Sequence, residues 1–147
     1  MTAWRDKPDR RQGGARRQLA ADPDRLARLR RGRAAERIAG LMLTLKGYRI
    51  LARRYRTPVG EIDIIARRGN TIAFVEVKHR PTPEEAEEAL TPRQAGRILR
   101  AAEHWLARHE RLADCELSLD VVLVAGWRRP RHIANVYQRH VVPARRR

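Results

Sequence analysis

The sequence predicts an α/β domain, a mixed sheet flanked by helices in the order helix, three strands, helix, strand. Three observations carry that prediction. A capped, periodically apolar segment opens the domain. Two strand-like runs within Gly60–Arg80 meet at Gly69-Asn70, a two-residue hairpin signal. A second capped helix separates the third strand from a fourth, apolar one, which allows a parallel crossover after an antiparallel meander.

Each element has a local warrant. Residues 1–21 mix Arg, Gly, Gln, Asp and Pro with little periodic hydrophobicity and read as a flexible, Arg-rich arm before a single domain over 22–142. Asp22 can cap the first helix and Pro23 suits its first position. Leu26, Leu29, Ala35, Ile38, Met42 and Leu45 approximate one apolar stripe, and Gly47 is the expected end. Gly32 could break this helix. Glu36 lies four residues from both Gly32 and Gly40, and such small neighbours let another element approach its carboxylate. "YRILARRYR" is a first strand, Thr57-Pro58 a turn, and Pro81 and Pro83 end the hairpin. "EEAEEAL" is a solvated acidic linker or helical turn. Thr91, Pro92 and Gln94 form a capping box opening a helix with Ile98, Leu99, Ala102, Trp105 and Leu106 toward the core. "LSLDVVLVA" is a buried strand, "RHIANVYQRHVV" a last strand or short helix, and 143–147 a basic tail.

Composition narrows the function. The formal net charge of +16 and a pI of about 11.6 call for a polyanionic partner, nucleic acid first and an anionic membrane or ribosome surface second. Of 33 basic residues only Lys7, Lys46 and Lys78 are lysine, so lysine is the minority choice at any basic position. The single Cys115 excludes an intramolecular disulfide and a multi-cysteine metal site, and reads as a small core filler. No apolar run approaches the roughly 20 residues of a membrane span. No apolar core follows the basic N-terminus as in a secretory signal, so a cytoplasmic location is expected.

The hairpin holds the chemistry. With Gly69-Asn70 as the turn, Arg68 pairs with Thr71, Ile65 with Phe74, Asp63 with Glu76 and Glu61 with Lys78. Alternation puts these on one face with Arg67 and Ile72. Ile62, Ile64, Ala66, Ala73, Val75 and Val77 form the other, a core face. Two ionised carboxylates about 5 Å apart repel by about 3 kcal/mol at an effective dielectric near 20. Either one is protonated or a cation lies between them. Lys78 leaves Glu61, Asp63 and Glu76 about two negative charges in excess, which a divalent ion balances. Oxygen ligands with no His or Cys beside them favour Mg²⁺ or Mn²⁺ over Zn²⁺. Held by Asp63 and Glu76, with help from the Val77 carbonyl, such an ion could polarise a phosphodiester and activate water. Lys78 could orient that water or stabilise developing charge. The plainer alternative, cross-strand salt bridges at a sheet edge, explains Glu61 with Lys78 but not Asp63 opposite Glu76.

An Asp near the end of one strand, then Glu-x-Lys on the next, then a helix, resembles the PD-(D/E)xK nucleases with their restriction-endonuclease-like fold, an α-β-β-β-α-β core. More narrowly, "GEIDIIA" followed by "IAFVEVKHR", after a helix bearing "AAERIA", is similar to the UPF0102 (YraN-like) family, regarded as related to Holliday-junction resolvases. The resemblance runs from about Gly32 to Val142 and leaves the Arg-rich extension aside. It implies a Mg²⁺- or Mn²⁺-dependent endonuclease on structured or branched DNA, with a homodimer as in resolvases that cut two strands. The alternative is a nucleic-acid-binding protein that keeps the fold without cutting. By the same resemblance Asp63 and Glu76 are metal ligands, Lys78 the catalytic lysine and Glu36 the helix carboxylate that completes the site. Gln94 is a polar residue turned toward the site or a capping acceptor. Glu61 is a nearby base or a partner for Lys78, and Asp120 a structural hydrogen-bonding group. Ile62 stands where the superfamily's name has proline. His79 is expected at the surface or edge, and Trp127 packed on the domain.

Overall fold

Local signals set the element boundaries. Asp22 accepts from the Asp24 N–H at 3.1 Å and Pro23 opens helix α1 (Pro23–Leu45), as anticipated. Gly47, at φ +90°, lets the Tyr48 N–H return to the Leu43 carbonyl and ends it. The helix runs unbroken through Gly32. Three strands follow: β1 (Arg49–Thr57), β2 (Gly60–Arg68) and β3 (Thr71–Arg80). Then come α2 (Pro92–Ala107), a 3₁₀ turn (Glu110–Leu112), β4 (Glu116–Ala125) and β5 (Arg131–Ile133). This computed structural model describes residues 22–82, 84, 91–126 and 128–136. The anticipated arm, most of the acidic linker, Trp127 and the chain from 137 with its basic tail lie outside the described residues.

The sheet has the order β1-β2-β3-β4-β5, with β3 and β4 parallel and the other pairs antiparallel. Gly69, at φ +59°, makes the hairpin turn, and Arg68 pairs with Thr71 and Ile65 with Phe74, the anticipated register. The crossover through α2 returns β4 parallel beside β3. The chain is thus α/β with an α-β-β-β-α-β core and a short antiparallel strand added at one edge.

Helices cover both faces of the sheet. Ala35, Ala39 and Leu43 of α1 pack on Ile64, Ala66, Ala73, Val75, Val122 and Val124. Ala95, Ile98, Ala101, Ala102 and Trp105 of α2 pack on Ile62, Ile65, Ile72, Phe74 and Leu119. The single core face read from β2 and β3 is therefore corrected: Ile65, Ile72 and Phe74 form a second core instead of the apolar end of a polar face. Strands buried on both faces carry near-continuous apolar runs, which simple alternation undercounts. The stripe assigned to α1 is corrected in part: Ala35 and Met42 do pack on the core, whereas Leu26, Leu29, Ile38 and Leu45 are exposed. Its sheet-facing seam is Ala35-Ala39-Leu43, spaced by four, while Leu29 is 53% and Leu45 80% exposed. Small alanines allow the close approach, and the described residues before Arg31, from Asp22 on, are all exposed. Cys115 is half-buried against the α2-side core, as a filler would be.

Gly60, the first residue of β2, has a packing reason. A Cβ there would lie 2.9 Å from the Arg97 carbonyl oxygen, so glycine lets α2 sit against the start of the strand that carries Asp63.

Candidate functional site

A local defect in β1 and β2 creates the site. Arg53 pairs with Ile64 and Tyr55 with Ile62, which puts Arg54 opposite Asp63. Ile64 belongs to the α1-side core and Ile62 to the α2-side core, two residues apart. On β1 the same switch occurs: Arg53 lies against Gly40 of α1, whereas Tyr55 packs toward α2 and meets His104 at 3.2 Å. Alternation therefore breaks on both strands at Arg54 and Asp63. Arg54 absorbs the break with φ +49°. Such defects re-aim side chains and end pairing. The β2–β3 ladder ends at Ile64–Val75, one residue short of Asp63, while β3 stays paired with β4 to Arg80.

Asp63 turns into that opening. Its Oδ2 accepts from the Val77 N–H at 2.8 Å, and its carboxyl also comes within hydrogen-bonding reach of Glu76. Burial, then the charge of Glu76, pushes the Asp63 pKa up to about 7. Glu36 adds to the rise and the Val77 N–H opposes it. Lys78 is only 6% exposed. Its Nζ lies 3.1 Å from Glu76 Oε1 and 3.4 Å from Gln94 Oε1, at the start of α2. Gln94 keeps its capping role as well: the Thr91 N–H donates to the same Oε1 at 3.3 Å.

Glu36 reaches the groove from α1, and Arg54 Nε holds its Oε2 at 2.7 Å. Glu61 does not join the cluster. The pairing read from the sequence, Glu61 with Lys78, is corrected: Glu61 lies opposite Arg56 of β1, is exposed, and pairs with it at 3.6 Å. The ladder that would have put Glu61 across from Lys78 has already ended. Asp63 and Glu76, with Glu36, line an open groove of about 560 Å³. Its other walls include Arg28 and Arg31 of α1 and His79 and Arg80 at the end of β3. A smaller hollow of about 220 Å³ between α2 and β4 is mainly apolar, with Glu103 its sole ionisable lining group among the described residues.

Sequence reasoning missed four contributors. Arg54 was hidden because no residue type announces a left-handed arginine. Arg28 and Arg31 lie on the exposed half of a helix whose direction only the packing reveals. His79 was assigned to the edge, and it lines the groove.

Oxygen donors on Asp63 and Glu76 within reach of each other, with Glu36 beside the same groove, suit a hard ion. Among the described residues, however, no three acidic, His or Cys side chains converge into a finished cage. Mg²⁺ fits that situation, since it takes one or two carboxylates and completes its shell with water and phosphate oxygens.

Residues 35–124 match the uncharacterised protein family UPF0102. Over 122 residues the chain is 53% identical to a UPF0102 protein of Bradyrhizobium diazoefficiens, covering 83% of this chain and 91% of that one. It is 58% identical over 111 residues to one from Methylocella silvestris, covering 76% and 90%. Against one from Rhodopseudomonas palustris it is 54% identical over 114 residues, covering 78% and 84%. Glu36, Asp63, Glu76, Lys78 and Gln94 lie inside the matched span, while Arg28 and Arg31 precede it.

Proposed function

The chain belongs to the UPF0102 family, and we propose that it is a divalent-metal-dependent endonuclease hydrolysing phosphodiester bonds in structured or branched DNA. One observation carries the reading: Asp63 and Glu76 are brought within reach of each other at the mouth of a groove walled by Arg28, Arg31 and Arg80. Nucleic acid is the polyanion that the net charge of +16 favours.

Asp63 and Glu76 would hold Mg²⁺ or Mn²⁺, which supplies Lewis-acid polarisation of the phosphoryl oxygen and a nucleophile at neutral pH. The chain's own groups do the rest. The Val77 N–H fixes the Asp63 carboxylate in direction. Lys78 lies behind the groove lining, 3.1 Å from Glu76 and 3.4 Å from Gln94, and in this reading its positive charge would stabilise the negative charge developing on the phosphate. Arg28, Arg31 and Arg80 hold the backbone along the groove, and their contribution falls with salt.

A second reading, a nucleic-acid-binding protein that keeps the fold without cutting, is favoured by one feature. Glu36 and Glu76 each already have a cationic partner, Arg54 and Lys78. Cleavage assays on duplex, flap and four-way-junction DNA with Mg²⁺ and Mn²⁺ decide between them. Metal-dependent cutting is expected, lost in Asp63→Ala and Lys78→Ala. Salt-sensitive binding without cutting on every substrate would establish the second reading instead.

A further inference from the structure

Arg54 stands out on two grounds that neither the fold nor the nuclease reading requires. It is one of two non-glycine residues with positive φ among the described residues, at +49°. That conformation costs an L-residue about 1–2 kcal/mol and persists where the surroundings impose it. It also delivers two consecutive side chains, Arg53 and Arg54, to the α1 side, where a regular strand would send one to each face. Gly40 leaves the room: a Cβ there would meet the Arg53 guanidinium at 2.6 Å. One helical turn earlier, Arg54 Nε takes Glu36 Oε2 at 2.7 Å. The same guanidinium feels the charges of Asp63 and Glu61.

These facts explain why the acidic groups do not form a finished cage. Asp63 and Glu76 already interact, and the third carboxylate of the groove, Glu36, is engaged by arginine.

We propose that Arg54 is an internal counter-ion that competes with the divalent cation for Glu36, so that Glu36 completes the site only when Arg54 lets it go. Arg54 is thus a positioning residue that acts through Glu36. The proposal rests on the metal reading of the Asp63–Glu76 pair. It makes metal affinity a balance between two cations for one carboxylate, and it predicts that removing the arginine tightens metal binding.

The test is Mn²⁺ titration by calorimetry on the full-length protein, with no DNA present. Arg54→Gly and Arg54→Asn both suit φ +49° and remove the guanidinium. Each is expected to bind Mn²⁺ on the order of tenfold more tightly, the worth of one lost charge-assisted hydrogen bond in competition. Arg31→Asn removes the same charge from the groove wall without touching Glu36 and is the control for simple electrostatics, expected to change affinity about twofold or less. In a Glu36→Gln background, Arg54→Gly should do no more than the control. Equal tightening in Arg31→Asn, persistence of the tenfold gain without Glu36, or unchanged affinity in both Arg54 variants would overturn the proposal and leave the metal reading standing. Failure of both Arg54 variants to fold, read by circular dichroism, would assign the residue to the fold and overturn it too. Binding in the variants but not in the wild type would be the competition at its limit and would support it. Absence of Mn²⁺ binding in the wild type and in every variant would sink the metal reading itself, and the proposal with it.

Discussion

Two carboxylates on the same sheet, Asp120 buried and Asp63 half-buried, have opposite surroundings. Asp120 in β4 is 1% exposed, and three donors converge on it: the Ser118 hydroxyl, His132 Nε2 at 2.7 Å and the Asn135 N–H at 3.0 Å. Burial raises its pKa, but the His132, Ser118 and Asn135 hydrogen bonds outweigh that and leave it below the usual carboxylate value. The chain of contacts continues outward, since His132 Nδ1 lies 2.6 Å from Lys46 Nζ. Asp63 has a single backbone donor and two acidic neighbours, and its pKa moves the other way. Burial alone therefore does not mark a site. What marks it is a half-buried charge that the protein leaves undercompensated, and such groups gather where function needs them. The reading of Asp120 as a structural hydrogen-bonding group agrees with its three donors.

The largest expected effect separates the two residues by the sign of a stability change. Asp63→Asn keeps an acceptor for the Val77 N–H and removes a charge opposed by Glu76 and Glu36. The metal-free protein should gain about 1–3 kcal/mol at pH 8, while Mn²⁺ binding and any cleavage are lost. Asp120→Asn leaves the His132, Ser118 and Asn135 donors around a group that cannot satisfy all three, and should lose about 3 kcal/mol. Its folded fraction should still bind Mn²⁺. Urea unfolding beside calorimetry reads both. Two destabilised variants would erase the distinction between a strained site and a satisfied one.

A smaller effect comes from pH. The folded pKa of Asp63, about 7, lies above the ordinary carboxylate value of 3.8, so the folded chain holds a proton that the unfolded chain releases. Metal-free stability should therefore fall as pH rises from 4 to 7, then level off. Asp120 acts in the opposite sense: its lowered pKa contributes stability above about pH 4, and acid removes it as pH falls through the folded value. If Asp63 ligates Mg²⁺ as proposed, it must do so ionised, so Mg²⁺ affinity should climb up to about pH 7 and binding below that pH should release a proton. Urea midpoints from pH 4 to 8 that fall with pH in the wild type but stay level over pH 5–8 in Asp63→Asn would sharpen the comparison. A wild-type profile as level as the variant's would break it.

The same contrast shows what the amino-acid order could reveal. The hairpin register followed from Gly69-Asn70, the crossover from the helix between β3 and β4, and the closeness of Asp63 to Glu76 from counting back from the turn. Counting failed one step further, at Glu61, because it assumes an unbroken ladder, and the ladder ends where Arg54 and Asp63 switch faces. That switch has no compositional signature, since an arginine at φ +49° looks in sequence like any other strand arginine. The α1 stripe holds at Ala35 and Met42 and fails at its leucines for a related reason. Leucines outscore alanines in an apolar pattern, but Leu26, Leu29 and Leu45 stay exposed and the contact surface includes Ala39, whose small side chain allows the close approach. Nor could sequence say which half of α1 projects past the sheet to line the groove with Arg28 and Arg31.

Gln94 gives the finest test of whether site and scaffold can be told apart, because it belongs to both. Its Oε1 receives the Thr91 N–H at 3.3 Å and Lys78 Nζ at 3.4 Å, and one carbonyl oxygen can accept both. Gln94→Ala removes the two together. It should cost about 0.5–1 kcal/mol of stability as half of a capping box, and slow cleavage by roughly threefold to tenfold as Lys78 loses a restraint. Gln94→Glu retains the capping geometry and should recover the stability. It should not recover the rate, because a second carboxylate draws the Lys78 ammonium away from Glu76 and the groove. Urea midpoints and single-turnover rates on the three proteins separate the roles. Equal rates in all three would assign Gln94 to the helix cap alone and leave Lys78 positioned by Glu76.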